Sequence, residues 1–183
     1  MLSNLTIDKG VDLAIDTFRI LNESGFQVSL EFAGPIQSRA ANTLISDAVK
    51  SNPELVRYVG PVYGRAKSRF LSNIDALLFP TRYNEESWGI VLNETLAAGA
   101  PVITFDRGCT KTVVGCTAGL VVDRAADFAA VASEQIKRWI DYEGEYRMAS
   151  LAAVEQATYL NQEGARTLDE FARRFMLDEL EVN

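Results

Sequence analysis

The sequence has 183 residues, 48% of them apolar and 23% charged, which is the composition of one ordinary globular domain. No apolar run approaches the ~20 residues that span a bilayer, and we expect neither a transmembrane segment nor a secretory leader. The net charge of −7 argues against nucleic acid as a partner, although it leaves room for a local basic pocket.

Strand-like and helix-like segments alternate along the first 123 residues. Apolar residues recur at helical spacing in 10–25, whereas 26–35 alternates apolar and polar residues as a strand does. The continuous apolar run in 75–81 is typical of a buried parallel strand. The predicted strands are residues 2–5, 26–35, 55–61, 75–81, 101–106 and 118–123, and the predicted helices are 10–25, 36–50, 63–74 and 87–99, with a short helix or loop over 107–115.

The chain after residue 123 has helical character, with one break predicted near Gly144 and a second at Gly164. The alternation predicts an α/β fold with a doubly wound, parallel, Rossmann-like sheet. We expect a single domain over 1–183, with the sheet in about 1–123 and C-terminal helices in about 124–181. Ligands bind such sheets at the carboxyl ends of the strands. The candidate binding loops are therefore 5–10, 33–36, 60–64, 80–88, 106–112 and 123–125.

The residue inventory excludes several kinds of chemistry. The chain has two cysteines, Cys109 and Cys116, and no histidine. We expect two reduced thiols in a cytoplasmic protein, with the full-length enzyme at most peripheral to a membrane. The absence of histidine removes Ser-His and Cys-His nucleophile pairs and most zinc sites. No Walker loop, Gly-x-Gly-x-x-Gly or Asp-x-Asp motif occurs, so we expect no cofactor and no metal.

The segment ESWGIVLNE places two carboxylates, Glu86 and Glu94, about two helical turns apart, or about 12 Å. That separation exceeds the ~5–10 Å at which two carboxylates act together on one bond. The pair either holds two parts of one extended ligand, or Glu86 is a favourable acid at a helix start and Glu94 a solvated helix residue. The helix would begin near Trp88, Gly89 and Ile90. The N–H groups of its first turn have no acceptor within the helix and would form an anion site.

Basic residues also fall on the predicted strand-end loops. Lys9 opens a helix after the first strand and can reach an anionic phosphate at the sheet edge, although a surface lysine would occupy the same position. Arg82 and Lys111 lie in similar loops, and each alone would be an ordinary solvated side chain. Gly34 and Gly60 each precede a proline and either simply turn the chain or leave room for a flat nucleobase.

Two stretches of the sequence carry a family resemblance. The run NIDALLFPTRYNEESWGIVLNETLAAGAPVITFDRGCTKTVVGCTAGLVV resembles the donor-binding, C-terminal domain of retaining GT-B fold glycosyltransferases of the E-x7-E group. That group includes glycogen synthase-like, sucrose synthase-like and bacterial mannosyl- and glucosyltransferase-like enzymes. Upstream, SNLTIDKGVDLAIDTF resembles the lysine-glycine opening of the same domain. The resemblance covers roughly residues 3–140.

The resemblance implies a role for each matching residue. Glu86 would contact the hydroxyls of the donor sugar, and Lys9 would neutralise the diphosphate. These two are the catalytic residues that the resemblance implies. Glu94 would hold the ribose hydroxyls of the nucleotide. The remaining donor-binding positions implied are Trp88, Gly89, Ile90, Val91, Asn4, Tyr58, Val59 and Gly34, with Arg82 and Lys111 as candidate phosphate contacts.

The sequence departs from the family pattern at two site positions, and it lacks one of the family's two domains. Asn4 stands where the family usually has an arginine, and Thr112 where it often has a glutamate. The N-terminal domain that binds the acceptor is absent, so we expect a fragment or a natural half of a longer enzyme, inactive by itself.

The function implied is that of a retaining, metal-independent glycosyltransferase that moves a hexose from a UDP or GDP sugar to an unidentified acceptor. Its partners would be the nucleotide-sugar donor and the missing acceptor domain. Two alternatives stay open: a non-catalytic nucleotide-binding or assembly module on the same fold, and a sugar-nucleotide 2-epimerase-like enzyme. The missing histidine weakens the epimerase, and Asn4 gives some weight to the assembly module.

Overall fold

A computed structural model describes residues 1–83 and 89–181 of the chain, with side chains described through residue 171. Strands and helices alternate as predicted, and the α/β class is confirmed. In chain order the elements are α1 (Val11–Glu23), β1 (Leu30–Ala33), α2 (Arg39–Ser51), β2 (Val56–Gly60), α3 (Gly64–Leu71), β3 (Leu77–Phe79), α4 (Ile90–Ala97), β4 (Val102–Phe105), α5 (Thr110–Val114), β5 (Gly119–Val122), α6 (Phe128–Asp141) and α7 (Glu143–Glu181).

The described strands form two parallel ladders, where a single sheet was predicted. β1 pairs with β2, and β3, β4 and β5 pair in that order. The N-terminal segment runs parallel beside β1 through isolated bridges from Leu2 to Ala33 and from Leu5 to Ile36. Leu2 also packs in one apolar cluster with Leu77 of β3, so this segment lies between the two ladders. The predicted strand at 2–5 is thus reduced to two bridges.

Helices cover both faces of the strands, as a doubly wound fold requires. Successive residues of a strand point to opposite faces. Leu78 of β3 therefore packs in the cluster that includes α1 and α6, whereas Leu77 and Phe79 pack in the cluster that includes α4 and α7. β4 alternates in the same way, and all four of its residues are buried. This double burial explains the continuous apolar runs of these two strands.

The observed element boundaries differ from the predicted ones by one to four residues, and two of these differences have a clear structural cause. The strand predicted from residue 26 begins only at Leu30, because its partner strand begins opposite it at Val56. The helix predicted from residue 87 begins at Ile90, because Gly89 adopts the left-handed conformation with φ 58° and ψ 60°. Residues 84–88 lie outside the described part of the chain.

The C-terminal helices differ from prediction at one of two breaks. α6 ends at Asp141 and α7 begins at Glu143, next to the predicted break at Gly144. The break predicted at Gly164 is wrong, since α7 continues through it for 39 residues in all. Glycine keeps the N–H that a helix needs, unlike proline, and costs only about 1 kcal/mol relative to alanine. Within the described residues, no helix combines the length and apolar character needed to cross a membrane.

Candidate functional site

The parallel strands bring their carboxyl ends, and the loops that follow them, to one edge of the molecule. Gly34, after β1, donates its N–H to the carbonyl of Gly60 at the end of β2, with an N to O distance of 2.9 Å. Arg82, after β3, donates its N–H to the carbonyl of Asp8 at 2.7 Å. These bonds join loops that are far apart in sequence. The predicted site residues on these loops therefore lie along one common edge.

Lys9 lies on the loop that leads into α1, with its side chain half-buried. Its Nζ is 4.9 Å from the ring centroid of Tyr83 and 5.8 Å from that of Phe79. Gly10, which follows, has φ 82°, and a Cβ there would lie 2.3 Å from the carbonyl oxygen of Pro80. The loop of Lys9 is thus held tightly against the chain that leaves β3, and the ammonium lies over that chain.

Arg82 fastens the same two loops with its side chain. Its Nη2 donates to the carboxylate of Asp12, at 2.6 and 2.9 Å, and to the carbonyl oxygen of Ile7, at 2.6 Å. The sequence predicted Arg82 as a phosphate contact, and that role stays a prediction. What the contacts show is an arginine that joins the loop after β3 to the start of α1, close to Lys9.

Glu94 lies in the second turn of α4 and forms an ion pair with Lys67 of α3. Its Oε2 is buried, while its side chain as a whole is 39% exposed. At the start of the helix, the N–H of Leu92 donates to the carbonyl oxygen of Gly89 at 2.7 Å. Helix geometry gives the N–H groups of Ile90 and Val91 no acceptor within α4. That these amides bind an anion stays a prediction.

Glu86 and Trp88 lie outside the described residues, and their predicted roles stay predictions. Among the described first-turn residues, Ile90 has a side chain that is 70% exposed, and Val91 is half-buried.

The end of β2 carries the residues predicted to face the base. Tyr58 and Val59 are 37% and 42% exposed, and the Tyr58 hydroxyl donates to the carbonyl of Gly34 at 3.0 Å. Gly34 has φ 117°, and a Cβ there would lie 1.9 Å from the carbonyl oxygen of Ser3. Close packing against the N-terminal segment therefore accounts for this glycine, and its contact with a nucleobase stays a prediction.

The remaining predicted residues lie at the surface of the same edge. Asn4 is exposed between the two bridges of the N-terminal segment. Lys111 and Thr112 are exposed on α5, which follows β4. Both cysteines are free, as predicted, and both are exposed.

Two residues with direct contacts to the candidate site were missed from the sequence. Lys67 pairs with Glu94, and Asp12 pairs with Arg82. A signal for Lys67 was present, because the helix that carries it begins just after a strand end at the same edge. Asp12 was recognisable only as an acid in the first turn of α1.

The fold and its loops define a Rossmann-like domain of the GT-B glycosyltransferase kind, with a lysine, a helix start and a carboxylate at the carboxyl edge of the strands. The chain belongs to the family Glycosyl transferases group 1, whose model matches residues 1–156.

The chain is also similar to individual proteins, in sequence or in fold. The chain is 29% identical over 140 residues to the capsular polysaccharide biosynthesis glycosyltransferase CapM of Staphylococcus aureus, a match that covers 74% of this chain and 34% of that protein. Its fold is similar to that of Anabaena Alr3699/HepE in complex with UDP, with a TM-score of 0.74 and 17% identity over 92% of this chain and 47% of the other. It is also similar to the pneumococcal O-GlcNAc transferase GtfA in complex with UDP and GlcNAc, with a TM-score of 0.72 and 16% identity over 92% of this chain and 34% of the other. The chain thus spans about a third of CapM.

Proposed function

We propose that this chain is the nucleotide-sugar-binding domain of a retaining, metal-independent glycosyltransferase of the E-x7-E group, which moves a hexose from a nucleotide diphosphate sugar. The observation that carries the proposal is that Lys9, in the loop before α1, and the first two turns of α4, which include Glu94, both follow strand ends at one sheet edge in a chain of this family. These are the groups that a diphosphate joined to a ribose requires.

The chemical step that such a site must support is departure of the nucleoside diphosphate. Negative charge grows on the diphosphate as the bond to the sugar breaks. The Lys9 ammonium and the amides of Ile90 and Val91 are fixed donors that stabilise this charge without reorganising, an effect that commonly supplies several kcal/mol. No general base is needed on this side of the reaction, in keeping with a chain that has no histidine.

The two ends of the donor would be held by different residues. Glu94 accepts hydrogen bonds from the ribose hydroxyls, and these bonds are strengthened by its charge. Tyr58 and Val59 lie beside the base. Glu86, on the segment before α4, orients the sugar ring. Retention of configuration would follow from attack on the face that the leaving diphosphate occupies.

The acceptor would be bound by a second domain of the same enzyme. This is supported by the 34% of CapM that the chain spans. The 183-residue chain is then expected to bind donor weakly and to transfer nothing, because one wall of the cleft is missing. A radiolabelled sugar nucleotide incubated with candidate acceptors measures this, and label found in any acceptor would contradict it.

The cytoplasmic location stays a prediction.

A second candidate function is a nucleotide-binding or assembly module without chemistry. The observation that favours it is Asn4, an exposed amide at the position where the family usually has a second cation for the diphosphate.

A thermal-shift panel of UDP, GDP, ADP and their sugars tests the proposal. We expect one diphosphate to raise the midpoint of unfolding, because a ligand that binds only the folded state stabilises it. One matching sugar nucleotide should raise it further. A response to a diphosphate without any added effect of a sugar would favour the binding module, and no response to any nucleotide would contradict both.

A further inference from the structure

We propose that Lys67 of α3 is a positioning residue for donor recognition, which neutralises and orients Glu94 so that a carboxylate can lie next to an anionic ligand. This inference rests on the proposed function, in which Glu94 holds the ribose of a nucleotide diphosphate. It assigns a role to a residue outside the E-x7-E segment and outside the lysine-glycine loop.

The contact itself is direct. The Nζ of Lys67 pairs with Oε2 of Glu94, and this oxygen is buried. The side chain of Lys67 is 26% exposed and that of Glu94 is 39% exposed, so the pair lies half within the protein. Partial burial limits the screening of such a pair by salt, compared with a pair at the open surface.

The position of α3 brings Lys67 to the proposed site. α3 begins at Gly64, shortly after the carboxyl end of β2, and Lys67 lies one turn further along. Glu94 lies in the second turn of α4, whose start faces the same edge. The ion pair thus links the strand end proposed to face the base with the helix proposed to face the ribose and the diphosphate.

The two oxygens of the Glu94 carboxylate have different roles in this pairing. Oε2 is buried against Lys67, which leaves Oε1 as the acceptor for a ligand hydroxyl. A carboxylate held at one oxygen loses less side-chain entropy when a ligand binds at the other. Lys67 therefore prepares the geometry that Glu94 needs for a ribose.

The second effect is electrostatic. A bare carboxylate beside a nucleoside diphosphate would repel it, since like charges a few ångströms apart interact unfavourably and most strongly where water is excluded. The Lys67 ammonium cancels the charge of Glu94 while leaving an oxygen able to accept. Loss of Lys67 should therefore weaken binding of a nucleoside diphosphate more than binding of the uncharged nucleoside.

A double-mutant cycle on the 183-residue chain tests this inference. Affinity would be measured by calorimetry with the diphosphate that gives the largest shift among UDP, GDP and ADP. We expect Lys67→Met to weaken binding about tenfold when Glu94 is present, and at most about twofold in a Glu94→Gln background, because there is then no charge to cancel. Lys67→Arg should restore most of the affinity.

The controls separate this role from a general effect on folding. Arg65 lies on the same helix and is exposed, so Arg65→Met should bind like the unaltered chain. Urea denaturation of each variant reports whether it folds, and Lys67→Gln replaces Lys67→Met if the latter does not.

The outcomes distinguish the inference from the proposed function. If Glu94→Gln binds the diphosphate as the unaltered chain does, the proposed role of Glu94 is wrong. If Glu94→Gln binds more weakly but Lys67→Met has no effect, or the same effect in both backgrounds, only the inference about Lys67 is overturned.

Discussion

Gly34→Ala is expected to lower the free energy of unfolding by about 3 kcal/mol or more. The added Cβ would lie 1.9 Å from the carbonyl oxygen of Ser3, at a φ of 117° that side chains rarely adopt. Neither partner can easily move, because the N–H of Ser3 donates to Ala33 and the N–H of Gly34 donates to Gly60. Urea denaturation followed by circular dichroism measures the loss.

Gly60→Ala is the matched control for this substitution. Gly60 also ends a strand and has φ 89°, but a Cβ there would meet no atom within 4 Å. It should cost only the backbone strain, about 1 kcal/mol. Equal losses for the two variants would mean that the N-terminal segment does not press on Gly34 as described.

Glu94→Gln is expected to weaken binding of the preferred nucleoside diphosphate about 10- to 100-fold. Glutamine has the same shape but gives up the charge, and a hydrogen bond to a charged acceptor is worth about 1.5–3 kcal/mol, with each 1.4 kcal/mol equal to a factor of ten. Calorimetric titration of the chain gives the affinity directly.

Glu155→Gln serves as the control, because Glu155 is an exposed carboxylate on α7. It should leave the affinity unchanged while altering the net charge by the same amount. An unchanged affinity in Glu94→Gln would remove Glu94 from the nucleotide site.

The parts of the fold that were predictable from sequence are those set by local pattern. The apolar runs of β3 and β4 correctly predicted strands buried on both faces, and the glycines at 34 and 60 correctly predicted strand ends. The strand predicted from residue 26 was too long because pairing depends on where the partner strand starts, which no local pattern encodes. The helix break predicted at Gly164 was wrong because a glycine weakens a helix without ending it.

The parts of the candidate site that were not predictable are its long-range pairs. The spacing of Glu86 and Glu94 indicated a ligand with two ends, but it could not show that Lys67 occupies one oxygen of Glu94. Arg82 was predicted as a phosphate contact from its loop position, but the sequence could not show that its side chain pairs with Asp12, 70 residues away in sequence. The first contact depends on how α3 and α4 lie relative to each other, and the second on how the loop after β3 meets the start of α1.

An NMR titration of the amide-labelled chain with the diphosphate chosen by the thermal panel tests the central claim most directly. The account predicts that chemical shifts change at the carboxyl edge of the strands, at the amides of Lys9, Gly34, Ile90 and Val91. The amides of Gln27 and Asn73, which precede β1 and β3 at the opposite edge, should not change. Changes confined to Gln27 and Asn73, or the absence of any change at a saturating concentration of the diphosphate, would contradict a donor site at this edge.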